Sequence, residues 1–495
     1  NQQVEGRAFV YLGRSSGLAT VPAWVAQGNQ DLARFGWSVG TAGDVNGDGY
    51  SDVIVGAPDF DGGEADEGLA FVYQGGPSGL ALLPGWSAEG NQAGAAFGFS
   101  VATAGDVNGD GYSDVVVGAP YFDGGGVDAG DAAVYPGSAV GLATSPVWNL
   151  QAAPRPAGDQ AGFAVGSAGD VNADGYTDLI IGLPGRSLAG TGDPDSGGAE
   201  VYLGSAAGPA DLSGGSTGSS GGRVGAAVAG AGDLNGDGLA DYAIGVPVGK
   251  FYQSGGAAGY AFVLYRNAGT LSRGVPLRQR RAGDTAPLAL LGASGALTAV
   301  DLQVEGRSPF GRGDVRLQYE IKPLGTPLDG TDLRLAGEWT DSGLGGAPLA
   351  AAITDLLPGT GYHWRLRVQH RASTSPFQPH GPWRTLAANG LQELDFRTEK
   401  DTDGDGVFDS LDNCRLLANA SQLDTNGDGF GNRCDPDFNN NGIVDSQDGA
   451  LLKAAFGSAA FPDRDLNGNG IVDSQDGAIL KSFFGKKPGP SGLRP

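Results

Sequence analysis

The chain has no methionine, two cysteines and three histidines among 495 residues. It is short of positive charge: 31 Lys and Arg face 56 Asp and Glu, for a net charge of −25. Nucleic acid and anionic membrane surfaces both demand basic patches, so neither is expected as a partner. No apolar run approaches the ~18 residues of a membrane span, so no membrane insertion is expected. Long amphipathic helical patterns are missing outside the last fifty residues. There is no Ser-His-Asp arrangement, zinc motif or phosphate loop. His370 and His380 stand apart from any nucleophile pattern, and His363 shares strand parity with Arg365 and Arg367, which predicts a solvated ring. The expectation is a chain that is not an enzyme. With no methionine and with Asn1 opening no signal peptide, it reads as processed or partial.

What is abundant is glycine, at 90 residues, with 28 prolines. That level borders on disorder. Here, however, the glycines recur in register with Val/Ile/Tyr runs, which predicts turns between many short strands. GDVNGDGYSDVIVGAP begins at Gly43, GDVNGDGYSDVVVGAP at Gly105, GDVNADGYTDLIIGLP at Gly169 and GDLNGDGLADYAIGVP at Gly232. The lead aspartates Asp44, Asp106, Asp170 and Asp233 are 62, 64 and 63 residues apart. An alternating strand accompanies each copy: AFVYLG at 8–13, AFVYQG at 70–75, AAVYPG at 132–137, AEVYLG at 199–204 and AFVLYR at 261–266. Trp24, Trp86 and Trp148 recur at intervals of 62. Units of this length with about four strands cannot bury both faces alone, so copies must pack side by side, as in a propeller.

The repeated acidic stretch has its own chemistry. Counting from the lead aspartate, side-chain oxygens fall at positions 1, 3, 5 and 9, a glycine at 6 and a backbone carbonyl at 7. The sets are Asp44, Asn46, Asp48, Tyr50 and Asp52; Asp106, Asn108, Asp110, Tyr112 and Asp114; Asp170, Asn172, Asp174, Tyr176 and Asp178; and Asp233, Asn235, Asp237, Leu239 and Asp241. Ca²⁺ takes six to eight hard oxygens from such a curled loop, whereas Mg²⁺ prefers to keep its waters. Bound ions relieve the carboxylate repulsion, so metal binding becomes folding energy. The alternative is a set of solvated Asx turns.

These units resemble the FG-GAP repeats of the integrin α-subunit propeller. The residues that carry the resemblance are Phe35-Gly36 with Gly56-Ala57-Pro58, and Phe97-Gly98 with Gly118-Ala119-Pro120. They drift to Phe163-Ala164 with Gly182-Leu183-Pro184, and to Val224-Gly225 with Gly245-Val246-Pro247. The resemblance implies a calcium-binding β-propeller over 1–271, with four full repeats and an N-terminal hairpin, and a bias toward adhesion. That family normally closes seven blades. Three explanations stay open: the first residues complete the last blade, upstream blades are missing, or a neighbouring chain supplies them.

Residues 285–398 nearly balance their charges, and apolar Val315, Leu317, Tyr319 and Ile321 alternate with Arg316, Gln318, Glu320 and Lys322. Trp364, Leu366 and Val368 alternate likewise with His363, Arg365 and Arg367. Half-buried antiparallel strands follow, hence a small sandwich. Leu357-Pro358-Gly359-Thr360-Gly361-Tyr362 resembles the tyrosine corner of a fibronectin type III domain, which implies spacing or binding. Arg312-Gly313-Asp314 spells an adhesive tripeptide, but a glycine turn with flanking charges explains it as well.

Acid returns over 401–476, with 15 Asp against 4 Lys and Arg. DTDGDGVFDSLDNC from Asp401 and DTNGDGFGNRCD from Asp424 resemble thrombospondin type 3 repeats, over 401–436. The resemblance implies calcium ligands at Asp401, Asp403, Asp405, Val407, Asp409 and Asp412, then at Asp424, Asn426, Asp428, Phe430, Asn432 and Asp435. Cys414 and Cys434 occupy the family's paired positions, although Arg415 stands where proline is usual. A disulfide implies an oxidising compartment, free thiols being the alternative. The sequon Asn419-Ala420-Ser421 matters only in a eukaryotic secretory host.

NNNGIVDSQDGALLKAAFG from Asn439 and LNGNGIVDSQDGAILKSFFG from Leu466 resemble a dockerin over 437–485, two calcium loops each followed by a helix. The implied ligands are Asp437, Asn439, Asn441, Ile443, Asp445 and Asp448, then Asp465, Asn467, Asn469, Ile471, Asp473 and Asp476. Leu451, Leu452, Ala455 and Phe456 recur as Ile479, Leu480, Phe483 and Phe484, faces expected to pack together. The resemblance implies a cohesin-like partner; a self-contained module docked on its own chain is the alternative. Residues 486–495 read as a flexible tail.

The expected fold class is therefore mainly β: an FG-GAP propeller, a fibronectin III-like sandwich, a calcium-stapled loop-rich segment and a small α module. About eight Ca²⁺ sites are expected from the eight acidic loops. The expected function is a secreted, non-catalytic, calcium-stabilised adhesion or structural protein, extracellular or at the cell surface, of bacterial type. It self-assembles into a homopolymer through tail and propeller, or remains a monomeric adhesin docked to a cohesin-like protein. A third reading is an accessory part of a larger extracellular hydrolase or lyase.

Overall fold

The computed structural model describes residues 5–14, 17–150, 155–187, 196–210, 212–217, 222–235, 239–247, 259–265, 277–283, 286–374, 378–386 and 393–493. Each long repeat folds as an antiparallel meander. The first blade runs Ser38–Gly43, Asp52–Ala57, Leu69–Tyr73 and Trp86–Glu89, paired in that order. The second runs Ser100–Gly105, Asp114–Ala119, Asp131–Tyr135 and Trp148–Asn149. The third comprises Ala164–Gly169, Asp178–Gly182, Gly198–Tyr202 and Leu212–Thr217, and the fourth Ala227–Gly232, Asp241–Val246 and Tyr260–Leu264. Arg7–Val10 and Trp24–Gln27 form a two-stranded hairpin against the first blade. Leading strands of consecutive blades lie side by side, the radial arrangement of a β-propeller. Among the described residues no strand pairing joins the fourth blade to the hairpin.

The repeated glycines mark where blades meet. Gly36, Gly98, Gly162 and Gly225 each donate N–H to the carbonyl of Gly56, Gly118, Gly182 and Gly245 of their own blade, at 3.0–3.2 Å. A Cβ on Gly56, Gly118 or Gly182 would drive into the carbonyl oxygen of Gly98, Gly162 or Gly225 on the next blade. Only glycine allows two backbones that close together. The recurring tryptophans close the same seams from outside. Trp24, Trp86 and Trp148 pack on Tyr73, Tyr135 and Tyr202 of the following blade, with ring centroids 4.8, 4.9 and 5.0 Å apart. Cores lie between blades rather than within them, as with Ile54, Val72, Val101, Val115 and Phe97 in one seam.

Residues 277–398 supply two packed sheets. One orders Arg278–Arg280, Val300–Gly306 and Ala347–Ile353; the other orders Gly292–Ala293, Phe396–Arg397, Gly361–His370, Asp314–Pro323 and Arg334–Asp341. Val315, Leu317, Tyr319, Ile321, Trp364 and Leu366 meet in the core, and the Tyr362 hydroxyl accepts the Leu357 N–H at 2.7 Å. The opposite face is not open to water as the alternation implied. Glu320 is fully buried between Arg365 at 2.6 Å and Lys322 at 3.4 Å, and the Arg365 and Arg367 guanidiniums stack on Trp383. His363, expected to be solvated, is buried, with Nε2 2.7 Å from the Thr326 carbonyl. A carbonyl partner offsets the desolvation that strand parity alone does not reveal.

In the C-terminal region Cys414 and Cys434 are bridged, with Cα atoms 5.6 Å apart. Two helices follow, α1 at Ser446–Ala455 and α2 at Ser474–Phe483. Leu452, Ala455 and Leu480 bury with Val444, Leu466 and Val472. Phe456 and Phe484, expected in that contact, are instead C-cap residues with exposed rings. The tail also departs from expectation. Residues 486–493 lie across the disulfide-bonded loops: Gly489 N–H donates to Cys434, Gly492 N–H to Asp412 and Arg415 N–H to Pro490, while Ser491 Oγ donates to Gly429. Its partners are 55–80 residues upstream, so a local Gly/Pro composition could not reveal them.

Candidate metal centres

Each rim loop joins the first two strands of its blade. Asp44 accepts N–H groups from Asp48 and Gly49, Asn46 Oδ1 accepts from Asp48, and Asp48 Oδ1 accepts from Tyr50. Asp106 with Asn108 and Asp110, and Asp170 with Asn172 and Asp174, repeat the arrangement. These bonds curl the loop at the position-6 glycine, where Gly49, Gly111 and Gly175 have φ of 88°, 95° and 95°.

The position-9 carboxylate makes backbone contacts that the spacing argument missed. Asp52 accepts the Val45 N–H at 2.9 Å on one oxygen and the Gly75 N–H at 2.7 Å on the other. Asp114 does the same with Val107 and Gly137, and Asp178 with Val171 and Gly204. Asp241 accepts from Leu234. These side chains staple the loop to its blade, and each oxygen retains a lone pair for a cation. In the same way Thr402 N–H donates to Asp409, and Thr425 N–H to Asn432.

Burial sets the electrostatics. It pushes Asp52, Asp106 and Asp170 up to about 6 and Asp178 up to about 8, each aggravated by a neighbouring loop carboxylate. Asp114 is also raised well above the usual range by burial. A cation removes this penalty by favouring the ionised form.

Neighbouring loops are also coupled. The residue before the position-9 aspartate donates its N–H to the lead-aspartate carbonyl of the preceding blade: Ser113 to Asp44, Thr177 to Asp106 and Ala240 to Asp170, at 2.9–3.0 Å. The position-7 tyrosines lie on the preceding loop. A Cβ on Gly47 would sit 2.7 Å from Tyr112 Cε1, and one on Gly109 2.7 Å from Tyr176 Cε1. In the third loop that glycine is Ala173, and the next position 7 is Leu239. The bulkier residue coincides with a smaller neighbour, a signal that was readable in the sequence.

In the fourth loop Asp233, Asn235, Leu239 and Asp241 are described, while Asp237 lies outside the described residues. Among the described residues, the trio whose carboxylates converge within 4.8 Å is Asp401, Asp403 and Asp405. The rim loops carry asparagine at the middle position of that trio, Asn46, Asn108 and Asn172, so they offer two carboxylates there and not three.

Asp403 Oδ2 and Asp412 Oδ2 are buried without a hydrogen-bond partner. An orphaned buried carboxylate oxygen is costly unless a cation faces it, so this donor set fits a hard divalent ion. In the second loop Asp424 and Asp428 accept the curling N–H groups, and burial, with Asp428 and Asp437 nearby, pushes Asp435 up to about 7. Asp437 and Asp465 open the last two loops in the same fashion. Their position-9 and position-12 residues double as helix caps: Asp445 with Asp448, and Asp473 with Asp476, form capping boxes on α1 and α2.

The tripeptide Arg312-Gly313-Asp314 is engaged internally. Arg312 pairs with Asp341 at 2.6 Å and donates to the Gly109 carbonyl, while Asp314 pairs with Arg371 at 2.8 Å. Among the described residues no helix is long and apolar enough to cross a membrane.

The FG-GAP repeat family matches residues 35–73 and 97–135, the first two blades up to their third strands. The chain is 39% identical over 167 residues to mouse integrin alpha-IIb, covering 32% of this chain and 16% of that protein. Human integrin alpha-IIb is 39% identical over 168 residues with the same two coverages. Integrin alpha-5 of Xenopus laevis is 36% identical over 121 residues, 24% of this chain and 11% of its own length. The matched stretch thus spans less than a fifth of each relative. The third and fourth repeats, beyond the family match, keep the blade pairing and the staples.

Proposed function

We propose that this chain is a secreted, non-catalytic adhesion or structural protein stiffened by Ca²⁺. The observation that carries the reading is the orphaned pair of buried carboxylate oxygens on Asp403 and Asp412 beside the converging Asp401, Asp403 and Asp405. Seven further loops share the register 1, 3, 5 and 9. In this reading Asp44, Asp106, Asp170, Asp233, Asp401, Asp424, Asp437 and Asp465 each lead one site. The position-7 carbonyls, from Tyr50 to Ile471, complete the oxygen sets. The integrin α relatives support an adhesive role, and the disulfide supports an oxidising, extracellular compartment.

The modules fall to the same proposal. Residues 285–398 act as a fibronectin III-like spacer, the Tyr362 hydrogen bond being its support. Residues 401–436 act as a thrombospondin type 3-like rod held by Cys414–Cys434, and 437–485 as a dockerin-like pair. The boundaries at 271 and 285 themselves fall outside the described residues. A shallow groove between α1 and α2, lined by Gly449, Leu452, Lys453, Phe456, Gly477 and Leu480, supports a docked protein partner, cohesin-like or another copy. Self-assembly through the propeller is supported by the hairpin, which exposes Phe9 and Val25 and whose Arg7–Val10 strand pairs, among the described residues, with Trp24–Gln27 alone.

Chelation followed by light scattering tests the assembly reading. A calcium-dependent polymer falls to about the 49.8 kDa of one chain on chelation. A single-chain mass in both conditions contradicts self-assembly and leaves the docked monomer.

A further inference from the structure

We propose that the acidic loops of the second and third blades form a cation-dependent joint that locks the sandwich onto the propeller rim. The inference rests on the calcium reading above and extends it from local stiffening to the coupling of two domains.

A substitution in the repeat is compensated from the sandwich. In the second loop the Asp106 N–H is satisfied by Thr177 Oγ1 of the next blade, at 3.1 Å. In the third loop the equivalent of Thr177 is Ala240, which has no hydroxyl. There the Asp170 N–H donates instead to the carbonyl of Pro309, in the sandwich loop 307–313, at 2.8 Å. The same loop accepts the Thr177 hydroxyl at Phe310 O and sends Arg312 Nη1 to the Gly109 carbonyl at 2.6 Å. The turn after Arg334–Asp341 adds Leu344, whose backbone abuts Gly175 so closely that a Cβ there would collide with it. Gln378 accepts the Asp233 N–H of the fourth loop at 3.2 Å. A cavity of about 600 Å³ remains beneath these contacts, between Leu239 and Asp174 of the propeller and Arg307 and His370 of the sandwich.

The sandwich reaches these loops mainly through backbone atoms at positions 1 and 4 and through the Thr177 hydroxyl. The carboxylates of positions 1 and 5 (Asp106 and Asp110, Asp170 and Asp174), with the amide oxygens of Asn108 and Asn172 at position 3, are left to the ion. Their mutual repulsion is what displaces the loop backbone when the ion leaves, and the joint opens with it. Arg312 then loses its Gly109 anchor, so the tripeptide Arg312-Gly313-Asp314 is held inside the joint only while the loops are loaded.

Hydrogen exchange on the full chain, with and without chelator, tests this alongside a calorimetric calcium titration. Amides of 307–313 and 342–346 are expected to exchange at least about tenfold faster after chelation. Leu344→Asp, which leaves every loop oxygen in place, is expected to give the fast exchange even in calcium. By reciprocity it also weakens calcium binding at two sites by several-fold. Arg312→Ala, which removes the Gly109 bond across the joint and the Asp341 pair within the sandwich, is expected to fall between the two. Calcium binding with unchanged 307–313 exchange overturns the joint and leaves the calcium reading intact. Absence of calcium binding overturns both.

Discussion

At the scale of single residues, the position-9 carboxylate of each rim loop ties the loop to its blade, a contact separate from the ligand role proposed for it. Asp114 is fully buried and holds the N–H groups of Val107 and Gly137. Asp114→Ala leaves two buried donors unpaired, at about 1–3 kcal/mol each. Chemical denaturation is expected to show a loss of roughly 2–6 kcal/mol in chelator as well as in calcium. A loss confined to calcium would mean that Asp114 is a ligand and nothing more. The sequence suggested a ligand role, because oxygens at 1, 3, 5 and 9 are a pattern along one segment. The staple was not legible, since Gly137 lies 23 residues beyond Asp114 and is reached only through the third strand.

Protonation belongs to this scale too. Burial raises Asp52, Asp106 and Asp170 to about 6 and Asp178 to about 8, above the ordinary aspartate value in an unfolded chain. A raised folded pKa contributes stability that is complete at pH values below the unfolded pKa and is lost as pH climbs through the folded one. The chelated propeller is therefore expected to melt lower at pH 8 than at pH 5. Calcium is expected to reverse that trend, because a bound cation favours the ionised form. Scanning calorimetry at the two pH values reads this directly, and a chelated chain that gains stability toward pH 8 contradicts it.

At the scale of elements, blade seams depend on matched small residues. Gly47→Ala places a Cβ 2.7 Å from Tyr112 Cε1 at a residue whose φ is 71°. It is expected to lower the midpoint of thermal unfolding by several degrees, and Tyr112→Leu added to it is expected to restore part of the loss. That pair imitates Ala173 with Leu239, which the third seam already uses. Additive losses in the double variant would reject the coupling. The FG and GAP glycines were legible as motif letters, but their reason, carbonyl oxygens of the next blade packed against them, requires two blades in contact.

The C-terminal strap carries a similar lesson. A stop codon after Lys487 removes the residues that bond Cys434, Asp412, Arg415 and Gly429. Faster proteolysis within 401–436 is expected, with calcium present. Unchanged resistance would show that the disulfide and ions suffice without the strap. Composition marked 486–495 as loose because turn-forming residues carry no signature of a distant seat.

At the scale of the whole molecule, contacts tie the parts in series: blades meet at glycine and tryptophan seams, the 307–313 loop of the sandwich seats on the rim, and residues 486–493 lie across the bridged acidic segment. The propeller's repeat and the sandwich's alternation were both visible in the sequence. The contact of Pro309 and Arg312 with loops 139 and 203 positions away was not, since nothing local distinguishes a docking loop from a solvated one.

The central claim is that divalent ions hold the acidic loops, and the most direct test is a calorimetric titration of the chelator-stripped chain with Ca²⁺. The account predicts about eight equivalents, one for each acidic loop, with a rise in unfolding temperature as they fill. A titration without heat of binding, and an unfolding temperature indifferent to calcium, would contradict it.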